Sequence, residues 1–137
     1  IDLNLEVELP PFSANWWQAI GAPRPHVGTS LNFAGDTSVV YAGITYPRGL
    51  GERGFVAAAF GLALHDGPLH KEEEGCKEKS DCGFGSRVLP RLGIEGGVRL
   101  TDTWTVSLFY DHLSHAGLLA SENEGIDHMG IRFRRGF

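Results

Sequence analysis

The chain has 137 residues with 12 basic against 17 acidic side chains and a formal charge of -5, so it is one domain with room for a single core or a small barrel. Its few basic residues are scattered, which with that charge argues against a nucleic-acid partner. No apolar run reaches the roughly eighteen residues of a transmembrane helix, although a membrane barrel, built from short alternating segments, escapes that test.

Glycine, at 19 residues, is abundant for a helical protein and usual for strands with many turns, so the chain reads as all-β. Ile1 comes without an initiator Met or an apolar leader, and any signal peptide is expected to have been removed or left out. Ile1 to Leu9 alternates, with Leu3, Leu5, Val7 and Leu9 on one face and Asp2, Asn4, Glu6 and Glu8 on the other, which predicts a strand. Pro10 and Pro11 stop it. Phe12 to Pro25 is a turn-rich connection whose Trp16 and Trp17 fit either a core plug or an interfacial anchor. His26 to Phe33 resumes the alternation, Gly35-Asp36 makes a tight turn, and Thr37 to Tyr46 completes a predicted hairpin.

Gly49, Gly51 and Gly54 spell G-x-G-x-x-G, but a dinucleotide fingerprint needs a following helix. Here Val56, Ala58, Phe60, Leu62 and Leu64 alternate against Ala57, Ala59, Gly61 and Ala63, a large-and-small pattern that suits a barrel strand. The charged loop Asp66 to Gly85 carries the only cysteines, Cys76 and Cys82. Their spacing suits a small disulfide in an oxidising compartment, since a zinc site would need further ligands and only His70 is near. Ser86 to Leu100 sets Leu92, Ile94, Val98 and Leu100 against Arg91, Glu95 and Arg99. Two alternating segments end the chain, Thr103 to Ser114 and Gly125 to Phe137. In the first, His112 and Ser114 continue the face of Trp104, Val106, Leu108 and Tyr110; in the second, Asp127 begins the face of Met129, Ile131 and Phe133. Histidine, serine and a carboxylate thus share the apolar side of two strands able to pair, a placement that asks for a functional reason.

Seven strands emerge, each with one apolar and one small, polar or charged face. A soluble sandwich would bury the apolar face, whereas an outer-membrane barrel turns it to lipid and fills the lumen with paired polar groups. The near balance of Asp2, Glu6, Glu8, Glu95 and Asp111 against Arg91, Arg99, Arg132 and Arg134 favours the barrel, because a closed interior of low dielectric requires neutrality. The prediction is an antiparallel up-and-down barrel with Leu5, Leu31, Ile44, Phe60, Ile94, Leu108 and Ile131 facing outward and Glu6, Glu95, Arg99 and Arg132 facing inward. An up-and-down bacterial barrel should have an even strand count, so a first strand is expected upstream of Ile1, giving about eight in all.

The stretch F-Y-D-H-L-S-H-A-G-L, Phe109 to Leu118, followed by N-E-G-I-D, Asn123 to Asp127, resembles the lipid A 3-O-deacylase (PagL) family of outer-membrane acyl hydrolases, whose members show H-x-S-N-A-G-L and then G-I before an acidic residue. P-R-P-H-V-G-T-S-L-N, Pro23 to Asn32, and Ala34 to Thr45 resemble a related acyloxyacyl hydrolase branch from alphaproteobacteria, so the likeness covers most of the chain. The resemblance implies His112 as general base, Ser114 as nucleophile, Asp127 as orienting acid, and His115 and Gly117 as oxyanion or substrate residues, with no metal and no cofactor. It further implies lipid A of lipopolysaccharide as substrate, loss of the 3-O-linked hydroxyacyl chain, and location in the bacterial outer membrane. Aspartate replaces the glutamate of the best-known members, so Asp127→Glu is expected to be tolerated or to improve turnover. His115 replaces an asparagine implicated in holding the oxyanion, and loss of one such donor typically costs about 100-fold to 1,000-fold. A catalytically silent barrel, acting as a structural or interaction module, is the alternative that these two departures favour. A homodimer or a membrane-protein complex stays open.

Overall fold

The computed structural model describes residues 2–33, 37–69, 83–115 and 125–136. Seven strands follow one another as β1 (Asp2–Glu8), β2 (Arg24–Asn32), β3 (Val39–Leu50), β4 (Gly54–His65), β5 (Val88–Arg99), β6 (Trp104–Leu113) and β7 (Ile126–Gly136), with one short helix, α1 (Asn15–Ala19), between β1 and β2. Each strand pairs with its neighbour in sequence and the sheet closes into a barrel between β1 and β7. The consecutive pairs are antiparallel, while the closing pair, with Asn4 opposite Arg132 and Glu8 opposite Gly136, is parallel. That seam follows from the count: the first and seventh of a series of up-and-down strands run the same way.

The alternation read from sequence decides which face is which. Leu5, Leu31, Phe60, Ile94, Leu108 and Ile131 are all exposed on the outer wall, and Ile44 is half-buried there. Glu6, Glu95 and Arg132 are buried inside. Arg99 departs from the expectation: it has the inward parity, but it ends β5, where its side chain reaches solvent and donates to the Glu52 carbonyl at 3.3 Å. Alternation fixes a side chain's face, whereas distance from the strand end fixes its depth.

The interior combines a buried apolar cluster, which includes Val39, Phe84, Leu89, Leu113 and Ile126, with an ion-pair network. Arg132 donates to Asn4 Oδ1 at 2.6 Å, Glu95 Oε2 at 2.8 Å and Asp111 Oδ2 at 2.6 Å. Arg91 meets both Asp111 oxygens at 2.8 Å and lies 3.9 Å above the Tyr41 ring, while Arg134 donates to Glu6 Oε1 at 2.6 Å. Such charges are tolerable away from water only when each finds opposite charge and donors, as these do. Room for the guanidinium groups comes from the small inward residues Ala57, Ala59 and Ala63 of β4. At Gly43 and Gly61, directly opposite each other on β3 and β4, an added Cβ would strike the facing backbone, so the tight bend of a narrow barrel depends on both glycines.

The G-x-G-x-x-G stretch forms the turn of the β3–β4 hairpin, with Gly51 at φ +62°, not a strand-to-helix junction. The α1 connection folds back on the outer wall, where the Tyr46 hydroxyl donates to the Ile20 carbonyl at 3.3 Å. Its two tryptophans divide the expected roles: Trp17 is buried, bonded through Nε1 to the Pro23 carbonyl at 2.8 Å, while Trp16 is 64% exposed. The turns 51–53 and 100–103 lie at this same end of the barrel, whereas β4 and β6 end, and β5 and β7 begin, at the opposite end. Gly35, Asp36, His70, Cys76, Cys82 and Phe137 are outside the described residues, and so are the turn and cysteine pairing expected there.

Candidate active site

The β6–β7 ladder places His112 directly opposite Asp127. Opposed Cβ atoms in such a pair are about 4.5–5.5 Å apart, close enough for an aspartate to touch an imidazole. His112 Nδ1 lies 2.7 Å from Asp127 Oδ1, and the side chains are 41% and 58% exposed on the outer wall. With Nδ1 engaged by the carboxylate, Nε2 is the ring nitrogen left for chemistry.

Ser114 follows on the same face. Its backbone N–H donates to the Pro90 carbonyl at 3.1 Å, which extends the β5–β6 ladder one residue past the end of β6. Residues two apart on a strand lean the same way with Cα atoms about 6.5–7 Å apart, which puts the hydroxyl on the same side of the sheet as the His112 imidazole. The serine is half-buried.

His115 goes the other way. Its side chain is 1% exposed and Nε2 donates to the Phe84 carbonyl at 3.0 Å, so the imidazole sits inside the barrel mouth and not on the face of His112 and Ser114. Alternation alone requires this, because adjacent residues of a strand point to opposite sides. Gly117 lies outside the described residues.

Two further residues touch this cluster. The Tyr110 hydroxyl donates to Asp127 Oδ1 at 2.8 Å, the same oxygen that meets His112. Gly125 packs against the imidazole so closely that an added Cβ would lie 3.0 Å from His112 Cε1 and 3.7 Å from Nε2. Both occur in the stretches singled out from sequence, but nothing in the sequence marks them as neighbours of the imidazole; register and loop path do that.

Tyr110 also borders a groove of about 930 Å³ in the outer wall. Tyr46, Val56, Ile94, Leu108 and Met129 supply large side chains around it, while Ala58 and Gly96 leave its floor low. An added Cβ on Gly96 would meet nothing nearer than 3.8 Å, so neither backbone nor packing demands that glycine. The groove therefore runs along the wall between Tyr110 and Met129 on one side and Tyr46 and Arg48 on the other, a shape and polarity that suit a hydrocarbon chain.

The family model for lipid A 3-O-deacylase (PagL) matches residues 3–135, nearly the whole chain. Comparison with curated proteins gives no match. Comparison with solved structures gives none either.

Proposed function

Because this chain belongs to the lipid A 3-O-deacylase (PagL) family, we propose that it is an ester hydrolase of the bacterial outer membrane that removes the 3-O-linked hydroxyacyl chain of lipid A, with Ser114 as nucleophile, His112 as base and Asp127 as orienting acid. The observation that carries this reading is the 2.7 Å contact between His112 Nδ1 and Asp127 Oδ1 on the outward wall, beside an apolar groove. A lumen packed with arginine and carboxylate admits no lipid, whereas a site on the wall meets an ester that stays in the membrane. The longest connection, between β4 and β5, joins strands at the same end as the site, and outer-membrane barrels put their long connections on the cell exterior, the side on which lipid A resides.

His112 Nε2 takes the Ser114 proton as Oγ attacks the ester carbonyl carbon, and Asp127 stabilises the imidazolium that forms. The tetrahedral intermediate collapses, the sugar 3-oxygen leaves with the proton from Nε2, and the acyl group stays on Ser114. Water, deprotonated by His112, then attacks this acyl ester, and the hydroxy fatty acid leaves as Oγ regains a proton. The departing chain occupies the groove beyond Tyr110. With the His115 imidazole bonded to Phe84, a backbone N–H supplies the oxyanion contact.

Mass spectrometry of lipid A from cells expressing the protein tests this. Loss of one hydroxyacyl group is expected with the wild-type chain and no loss with Ser114→Ala or His112→Ala, while heat-modifiable gel migration of the barrel stays unchanged in both. A Ser114→Ala protein that shortens lipid A at the wild-type rate sinks the triad.

A further inference from the structure

We propose that Tyr110 is a positioning residue for this site, its hydroxyl fixing the Asp127 carboxylate so that one oxygen stays aimed at His112; the inference rests on the triad reading above. Tyr110 Oη and His112 Nδ1 converge on Asp127 Oδ1 at 2.8 and 2.7 Å. In the ladder Tyr110 faces Met129 and His112 faces Asp127, so the phenol reaches its carboxylate along the diagonal of the strand pair, a span suited to a long aromatic side chain.

The carboxylate torsion of an aspartate is soft and nearly two-fold, so a single hydrogen bond leaves the group free to swing. A second donor on the same oxygen, from a different direction, restricts that swing. It also meets a cost peculiar to this location. Asp127 is more than half exposed on a wall that otherwise presents apolar side chains, and a lipid-facing carboxylate short of water needs donors from the protein. Tyrosine suits the task because its ring tolerates hydrocarbon while its hydroxyl serves the polar neighbour. The same ring borders the groove, so Tyr110 has two separable contributions: the hydroxyl acts through Asp127, and the ring acts on the acyl chain.

Two substitutions separate them when turnover of lipid A in detergent micelles is followed by release of hydroxy fatty acid. Tyr110→Phe keeps the ring and should lower kcat roughly tenfold with KM unchanged, the rate equivalent of one charge-assisted hydrogen bond. Tyr110→Leu should raise KM as well. In an Asp127→Asn background, Tyr110→Phe should cause no further loss, since the hydroxyl works through that carboxylate. Wild-type kcat in Tyr110→Phe, or an undiminished loss in the Asp127→Asn background, overturns the positioning role while leaving an inactive Ser114→Ala protein as support for the triad. Activity in Ser114→Ala removes the triad itself, so the two failures are distinguishable.

Discussion

His112 and Asp127 occupy facing positions of one antiparallel ladder and their side chains already meet at 2.7 Å. The shorter acid is therefore no handicap: direct opposition supplies the reach that an extra methylene would provide from a more distant position. The sequence-based expectation that Asp127→Glu is tolerated or improves turnover changes accordingly. A glutamate at 127 would carry its carboxylate past the imidazole and away from the Tyr110 hydroxyl. Turnover should fall by roughly tenfold, in line with the sensitivity of catalysis to sub-ångström displacement. Steady-state release of hydroxy fatty acid measures it, and a glutamate variant as fast as the wild type would show that the acid works from farther out.

Arg132 holds the centre of the lumen, with Glu95, Asp111 and Asn4 all within 2.8 Å of its guanidinium. Replacing it with methionine leaves those carboxylates buried with fewer donors, and breaking a buried pair from one side typically costs about 3–5 kcal/mol. The expected result is a lower unfolding midpoint in urea, read from the heat-modifiable band shift. A midpoint equal to the wild type would mean that Arg91 and Arg134 neutralise the lumen unaided.

What the sequence disclosed was the part governed by a period of two. Leu108 and Ile131 outside and Glu95 and Arg132 inside follow from alternation, and the predicted strands differ from the observed ones mainly at their ends. Arg99 falls outside that pattern because depth is not periodic. Helix α1 does not stand out from the turn-rich connection around it: it spans five residues, Asn15–Ala19, and its N-cap, Ala14, makes no side-chain capping bond, so no start signal marks it. At the site, the shared face of His112 and Ser114 and the pairing with Asp127 were legible. The contribution of Tyr110 was not, since its partner lies on the diagonal and depends on register to within one residue. The inward turn of His115 was available from parity but hidden by its place beside the serine in the motif.

The groove floor gives a prediction about substrate choice. Ala58 and Gly96 lie low among larger neighbours, and both positions can accept a side chain without striking the barrel's own backbone: Ala58 carries a Cβ already, and one added to Gly96 meets nothing closer than 3.8 Å. Gly96→Leu should fill the floor and exclude the far end of a long acyl chain. Each methylene denied burial costs about 0.8 kcal/mol, or about fourfold in kcat/KM. Competition between lipid A species of different acyl length, read by mass spectrometry, should shift toward the shorter chain. An unchanged preference would place the departing chain elsewhere on the wall.

Gly125 tests how tightly the imidazole is held. A methyl group there would stand 3.0 Å from His112 Cε1, closer than carbon atoms rest, so either the ring or the chain entering β7 must give by a few tenths of an ångström. The ring is tied to Asp127 through Nδ1, and rotation away from Gly125 would turn Nε2 from the direction that the proposed proton transfer requires. Gly125→Ala should therefore lower kcat roughly tenfold, with KM and barrel stability little changed, because proton transfer depends on alignment more than on binding. Parallel loss of kcat in the alanine and serine variants, graded with side-chain size, would mark displacement of His112 as the cause. Full activity in Gly125→Ala would show that the strand entry yields and the imidazole keeps its place.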